Sequence, residues 1–184
     1  IITWVIFTNN SLVQKEETVN QTWAQVENVY QRRADLVPNL VNTVKGYAKH
    51  EKETLEGVIQ ARNLALSASG QAKAAPGSAT SEDKVKTFAA AQDTLGAALS
   101  RLMVVVERYP ELKANENFRD LQSQLEGSEN RIAVERRRFN EAVQTYNSTV
   151  RSFPTSVVAG FRGFEKKAYF EAAQGSDVAP KVDF

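Results

Sequence analysis

The sequence predicts an all-α chain. It should form a long antiparallel up-down-up-down helical bundle whose extended, Pro-kinked first helix continues from an N-terminal transmembrane helix. Three observations predict this fold. Apolar residues recur in steps of three and four over most of the 184 residues, prolines and a small-residue stretch interrupt the pattern, and no strand pattern of useful length occurs. Such seams predict antiparallel packing at about 20°, as in helical bundles.

The first segment, IITWVIF, is apolar and stops sharply at Thr8. Seven residues cannot span a bilayer, which needs about 20 apolar residues. We therefore interpret Ile1 to Phe7 as the last turns of a membrane helix, with Trp4 suited to the interface. The alternative is a short apolar strand or a frayed tail.

Helix one is predicted from about Asn10 to about Ser67, because one apolar phase runs through it. Pro38 removes a backbone hydrogen bond and crowds the carbonyl of Ala34, which predicts a kink near Asp35 to Pro38. The apolar phase continues after the proline, and this favours one kinked helix over two unrelated helices.

The rest of the chain is divided by its breakers. A loop is predicted at 67–81, where Gly, Pro and small polar residues concentrate. Further helices are predicted at 82–108, 115–153 and 155–173; Pro110 and Pro154 end the first two of these, and Gly160 and Gly163 weaken the last. We therefore divide the whole chain into three segments: the end of a transmembrane helix at 1–9, a helical bundle at 10–175 and a C-terminal tail at 176–184.

Helix lengths predict an interaction surface. The helix at 82–108 is too short to return to the membrane, so the first half of helix one, Leu12 to Val37, is expected to lack an intrachain partner. An exposed apolar stripe of that size usually marks an interface. We expect this stalk to self-associate as a parallel coiled coil or to dock a partner helix. Alternatively, the C-terminal segment folds down to cover it. The interaction residues we predict are Trp23, Val26, Tyr30, Arg32, Arg33, Asp35 and Pro38.

A second apolar concentration lies near the C-terminus and includes Val157, Val158, Phe161 and Phe170. As the core of a closing helix these residues need no special explanation. They would indicate a docking patch only where they are exposed.

Composition limits the chemistry. Basic and acidic residues number 23 and 22, so no global charge favours nucleic acid, and there is no cysteine. The one local cluster that resembles a metal site is His50 with Glu51 and Glu53. A di-iron bundle needs Glu-x-x-His from two helices, and Tyr47 stands where that motif has its glutamate. A solvated helix face is favoured, with no catalytic, cofactor-binding or metal residues.

Two arginines fall on or beside the apolar seams, Arg33 and Arg136. A charge in such a position is costly unless it is paired. We expect these arginines to meet Glu51, Glu129 or Glu135 between helices, where the pair fixes register.

The sequence closely resembles the LemA family of bacterial membrane-anchored helical proteins. The resemblance lies in WAQVENVYQRRADLVPNLVNTVKGYAKHE, in ENFRDLQSQLEGSENRIAVERRRFNEAVQTYNSTVRSFP and in the ending FEKKAYFEA…PKVDF. It implies a single-pass protein of the cell membrane, with the side of the bundle left open. It also implies no cofactor, no accepted catalytic residues and, for some members, association with a membrane zinc metalloprotease.

Together these observations favour a non-enzymatic membrane-anchored scaffold or accessory protein that acts through helix-mediated protein–protein contacts. A homo-oligomer through the stalk and modulation of a membrane protease are the expected interactions. The alternative is a metal-binding or enzymatic helical bundle that uses His50 and nearby glutamates.

Overall fold

The computed structural model describes residues 2–73 and 81–171. Within them the secondary structure is helical, which confirms the prediction of an all-α chain. The helices are α1 (Ile2–Tyr47), α2 (Lys52–Lys73), α3 (Glu82–Val106), α4 (Pro110–Ala114), α5 (Glu116–Arg151) and α6 (Thr155–Arg162). Ile1 and the predicted tail at 176–184 lie outside the described residues.

The prediction of one helix from Asn10 to Ser67 is wrong, because the chain reverses at Ala48–Glu51. The Glu51 amide donates to the Ala48 carbonyl at 3.1 Å, and α2 then runs back beside α1. The reversal buries Leu55 and Val58 against the second half of α1. A continuous apolar phase fits either a straight helix or a hairpin of two helices, so periodicity did not reveal the turn.

Pro38 lies inside α1, and α2 compensates for the hydrogen bond that the proline removes. Proline has no amide hydrogen to donate to the carbonyl four residues earlier, which is that of Ala34. The Arg62 Nε donates to this carbonyl at 2.8 Å. Arg62 sits in the apolar seam of the sequence, and its charged side chain is thereby anchored between α1 and α2.

The prediction that a loop begins at residue 67 is also wrong. Helix α2 continues to Lys73, and Ala68 and Ser69 are buried on it. The small residues of this stretch pack closely, and the Ser69 hydroxyl donates to the Ala65 carbonyl within the helix. Residues 74–80 lie outside the described part of the chain.

Helix α5 runs antiparallel to α1 along most of its length. Asn115 bonds Tyr47, Arg33 bonds Glu129, and Trp23 contacts Phe139, so positions rise on α1 as they fall on α5. The expectation that the first half of α1 lacks an intrachain partner is therefore wrong. The 36-residue α5 continues along α1 past Trp23, and its last residues share a core with Leu12 and Val19.

The long helices contribute to two cores, which are named proximal and distal by their distance from the start of α1. The distal core joins the second half of α1 to α2, α3, α4 and the start of α5, and includes Leu40, Val58, Leu95, Leu102 and Phe118. The proximal core joins the first half of α1 to the start of α3, the end of α5 and the C-terminal segment, and includes Val19, Trp23, Phe88, Phe139 and Tyr146.

Helix α6 ends at Arg162, well before the predicted residue 173. Gly163 adopts a left-handed conformation with φ of 77°, which ends the helix at low steric cost. From there residues 164–171, called the strap below, leave helical structure and run back along α5. The strap is the C-terminal cover that the sequence offered as the alternative to an exposed stalk.

The beginning of α1 extends past this cover. Ile2, Trp4, Val5, Ile6 and Phe7 are all exposed. No helix among residues 2–73 and 81–171 combines the length and the apolar character needed to cross a bilayer. That residues 1–9 end a transmembrane helix therefore stays a prediction.

Candidate functional site

Four aromatic rings from four parts of the chain meet in the proximal core. Trp23 of α1 lies with its ring centroid 5.1 Å from Phe88 of α3, 5.4 Å from Phe139 of α5 and 5.5 Å from Phe170 of the strap. Phe170 stacks on Trp23 at 15° and meets Phe139 edge-on at 74°. Such tilted and offset pairs stabilise the fold beyond the area that they bury. Phe170 is therefore the anchor of the strap.

Four of the predicted interaction residues are used inside the chain. Trp23, Val26, Tyr30 and Arg33 are buried. A separate contact role for this stretch stays a prediction, and the residues left open to a partner are Arg32, Asp35 and Pro38, which are exposed along one side of α1.

Two asparagines of α5 hold the main chain of the strap. The Asn147 side chain donates to the Lys167 carbonyl and accepts from the Lys167 amide, both at 2.9 Å. Asn140 makes the same pair with Phe170, at 2.9 and 2.8 Å. Seven residues of helix and three of extended chain both rise about 10 Å, so the two spacings match.

Asn140 and Asn147 form a clamp that binds the main chain of the strap. The ring cluster of Trp23, Phe88 and Phe139 binds one aromatic side chain, that of Phe170. Arg136 completes it by donating to the Glu171 carbonyl at 2.6 Å, and its guanidinium lies 5.0 Å from the centre of the Phe170 ring. At the other end Lys167 pairs with Glu16 of α1 at 2.7 Å. The site therefore binds an extended segment, and that segment is the strap of the same chain.

Replacing Asn147 with alanine is expected to lower the free energy of unfolding by about 2 kcal/mol, because two partly buried main-chain groups lose their partner. Urea denaturation followed by circular dichroism measures this. Asn130→Ala is the matched control, since Asn130 is exposed on the same helix. If both variants unfold at the same urea concentration, the clamp does not hold the strap.

Neither Asn140 nor Asn147 was among the interaction residues predicted from the sequence. A signal was present. Both asparagines directly follow apolar-stripe positions, Phe139 and Tyr146, so they lie at the edge of the buried face. An amide at that edge faces whatever lies beside the helix pair, which here is an extended segment.

Arg33 lies between the two cores and is almost fully buried. Its guanidinium donates to the Glu129 carboxylate at 2.7 Å and to the main-chain and side-chain oxygens of Gln92 at 2.8 and 3.0 Å. It also lies 5.0 Å from the centre of the Tyr30 ring. The predicted pairing of Arg33 with Glu129 is confirmed, and the arrangement fixes α1 against α3 and α5.

Burial raises the pKa of Tyr146 to about 12 from an ordinary value of 10.0, and the carboxylates of Glu16 and Glu165 add to the rise. Its hydroxyl has no hydrogen-bond partner within residues 2–73 and 81–171. The nearby cation of Lys167 lies 5.8 Å from the ring centre.

This raised pKa predicts a loss of stability in alkali. Above pH 10 Tyr146 ionises in the unfolded chain but keeps its proton in the folded one, so the free energy of unfolding falls from about pH 10 to about 12. Urea denaturation at stepped pH measures the fall. Tyr146→Phe should reduce its slope and leave stability near pH 7 almost unchanged; a slope equal to that of the parent chain would contradict the assignment.

Within the cluster around His50, Glu51 takes a structural role. Glu51 accepts from Arg108 at 2.9 Å and from the Tyr109 hydroxyl at 3.2 Å, which ties the α1–α2 turn to the end of α3. In the described part of the chain, no three His, Asp or Glu side chains converge as metal ligands. Burial raises the pKa of Tyr109, and the hydrogen bond to Glu51 adds to the rise.

Comparison with known proteins gives consistent matches. A model of the LemA family matches residues 22–184. Magnetosome protein MamQ of Magnetospirillum gryphiswaldense is 26% identical, over 98% of this chain and 72% of its own length. Magnetosome protein MamQ 2 of Paramagnetospirillum magneticum is 27% identical, over 91% and 66%. Protein LemA of Metamycoplasma hominis is 24% identical, over 90% and 69%. The chain thus spans 66 to 72% of the length of these relatives.

Proposed function

Because the chain belongs to the LemA family, we propose that it is a membrane-anchored accessory protein that works through protein–protein contacts and catalyses no reaction. The observation that carries this proposal is the distribution of exposed apolar side chains. Ile2, Trp4, Val5, Ile6 and Phe7 follow one another in the first turns of α1 with no cover from the bundle. A run of this kind is stable where water is replaced by lipid.

The rest of the fold is more typical of a rigid scaffold than of a catalyst. Helix α1 rises about 55 Å between Asn10 and Tyr47, at ~1.5 Å per residue. Its buried face is filled along this length by α5, α2 and the strap. The names magnetosome protein MamQ and protein LemA describe no catalytic activity. The proposed mechanism is presentation of a stiff helical body at a fixed distance from the bilayer.

The contact surface we propose is the exposed side of α1 that contains Arg32, Asp35 and Pro38. Arg32 and Asp35 lie three residues apart and so share one helix face. A second copy of the chain is the first partner to test, and a membrane zinc metalloprotease is the second. Cross-linking through a single cysteine at position 32 or 35 tests self-association, with a cysteine at exposed Asn63 as the matched control.

The anchoring role is tested by partition into lipid vesicles with the double variant Ile2→Asn and Ile6→Asn. We expect the parent chain to sediment with the vesicles at neutral pH. The double variant should partition at least about ten-fold less, which corresponds to ~1.4 kcal/mol. Val104→Asn, at an exposed valine of α3, is the control and should behave like the parent. A parent chain that remains in the supernatant, or a double variant that partitions like the parent, would overturn the proposal.

A further inference from the structure

Helix α6 presents apolar side chains to both of its sides. Val158 and Ala159 are buried, and Ala159 belongs to the proximal core. Val157 and Phe161, four residues apart and so on one face, are 64% and 93% exposed, and Phe153 in the preceding turn is 84% exposed. An exposed apolar patch of this kind usually marks a surface that contacts a membrane or another protein. The core covers one side of α6 and leaves the other uncovered.

The position of α6 identifies the medium on its uncovered side. The Arg162 Nε donates to the Asn9 side-chain oxygen at 3.0 Å, which fixes the end of α6 beside the first turns of α1. The exposed apolar run from Ile2 to Phe7 begins just beyond that contact. The two apolar surfaces therefore lie at the same end of the bundle. Lipid that surrounds the start of α1 would also lie next to the exposed side of α6.

The charges around α6 fit the surface of a bilayer. Between residues 151 and 166 the chain carries three cations, Arg151, Arg162 and Lys166, and one carboxylate, Glu165, all of them exposed. Basic residues beside an apolar face are typical of helices that lie in the headgroup region of anionic membranes.

We propose that α6 and the turn before it form a second membrane contact, in which Phe153, Val157 and Phe161 insert at the lipid–water interface beside the α1 anchor. This inference rests on the proposed function, since α1 brings α6 to the bilayer. It adds a fixed orientation: one helix entering lipid can rotate and tilt, whereas a helix and a lateral patch together hold the bundle at a set angle.

The test uses the absence of cysteine from the chain. Single cysteines replace Phe7, Phe161 or Val104 in the full chain, and each carries the polarity-sensitive dye NBD. The proteins are reconstituted into vesicles of mixed neutral and anionic lipid, with and without a lipid-borne quencher. Because all three positions are exposed, the labels leave the fold intact, and circular dichroism checks this.

We expect dye at position 161 to brighten by roughly two-fold in vesicles and to be quenched by labelled lipid, as at position 7, because both enter the interface. Dye at position 104 should remain in water. Lipid contact at 7 with water at 161 would overturn this inference and leave the proposed function standing. Water at both positions would overturn the proposed function as well. Brightening at 161 that resists lipid quenching and grows with protein density would assign the patch to a second copy, and would overturn the inference.

Discussion

Replacing Trp23 with alanine is expected to lower the free energy of unfolding by about 3–5 kcal/mol, the usual cost of emptying a large aromatic site in a core. Trp23 is only 3% exposed and contacts one ring each from α3, α5 and the strap. Loss of the indole removes the common neighbour of all three rings, so the strap should also loosen. Urea denaturation measures the first effect, and hydrogen exchange at the Lys167 and Phe170 amides measures the second.

The chain supplies its own control, since its other tryptophan, Trp4, is exposed on the same helix. Trp4→Ala in detergent should change stability by no more than about 0.5 kcal/mol. If Trp23→Ala were equally mild, Trp23 would not be a core residue, and its earlier interpretation as a surface contact would regain support.

Replacing Arg33 with alanine is the second large effect, at about 3 kcal/mol. The substitution removes a buried donor from the main-chain and side-chain oxygens of Gln92, and hydrogen bonds to a charged group are among the stronger ones. It also removes the cation beside Tyr30. Guanidinium or urea denaturation followed by circular dichroism measures the loss.

Two variants separate this effect from a general loss of charge. Arg32→Ala removes the neighbouring, exposed arginine and should change stability by less than about 0.5 kcal/mol. Glu129→Gln keeps an acceptor for Arg33 on a side chain that is half exposed, and should cost less than Arg33→Ala. A Glu129→Gln variant as unstable as Arg33→Ala would show that the ion pair, and not the contact with Gln92, holds these helices together.

The sequence predicted local structure well where one residue type decides it. Pro110 and Pro154 mark the ends of the long helices, and the stripes of α3 and α5 are the faces that the structure buries. Polar residues inside the stripes were also informative. Arg33, Arg62 and Gln92 each stand in or beside a seam and each makes a hydrogen bond between helices.

The arrangement of the helices was harder to predict. The turn at Ala48–Glu51 contains no proline, and the apolar phase runs through it, so the sequence alone favoured a long stalk. From that error followed the expectation of an uncovered seam around Trp23. The strap was equally hidden, because an extended segment held through its main chain by Asn140 and Asn147 leaves no apolar periodicity to detect.

We expect the end of the bundle that contains α6 and the start of α1 to face the bilayer, while the α1–α2 turn stands away from it. Energy transfer from a donor on a single cysteine to acceptor lipids in the vesicle surface measures both heights. Positions 10 and 49 are both exposed, and they lie near opposite ends of the part of α1 that rises about 55 Å. Strong transfer from position 10 with little transfer from position 49 is the predicted result. Equal transfer from the two positions would mean that the bundle lies flat on the membrane or away from it, and would contradict the claim.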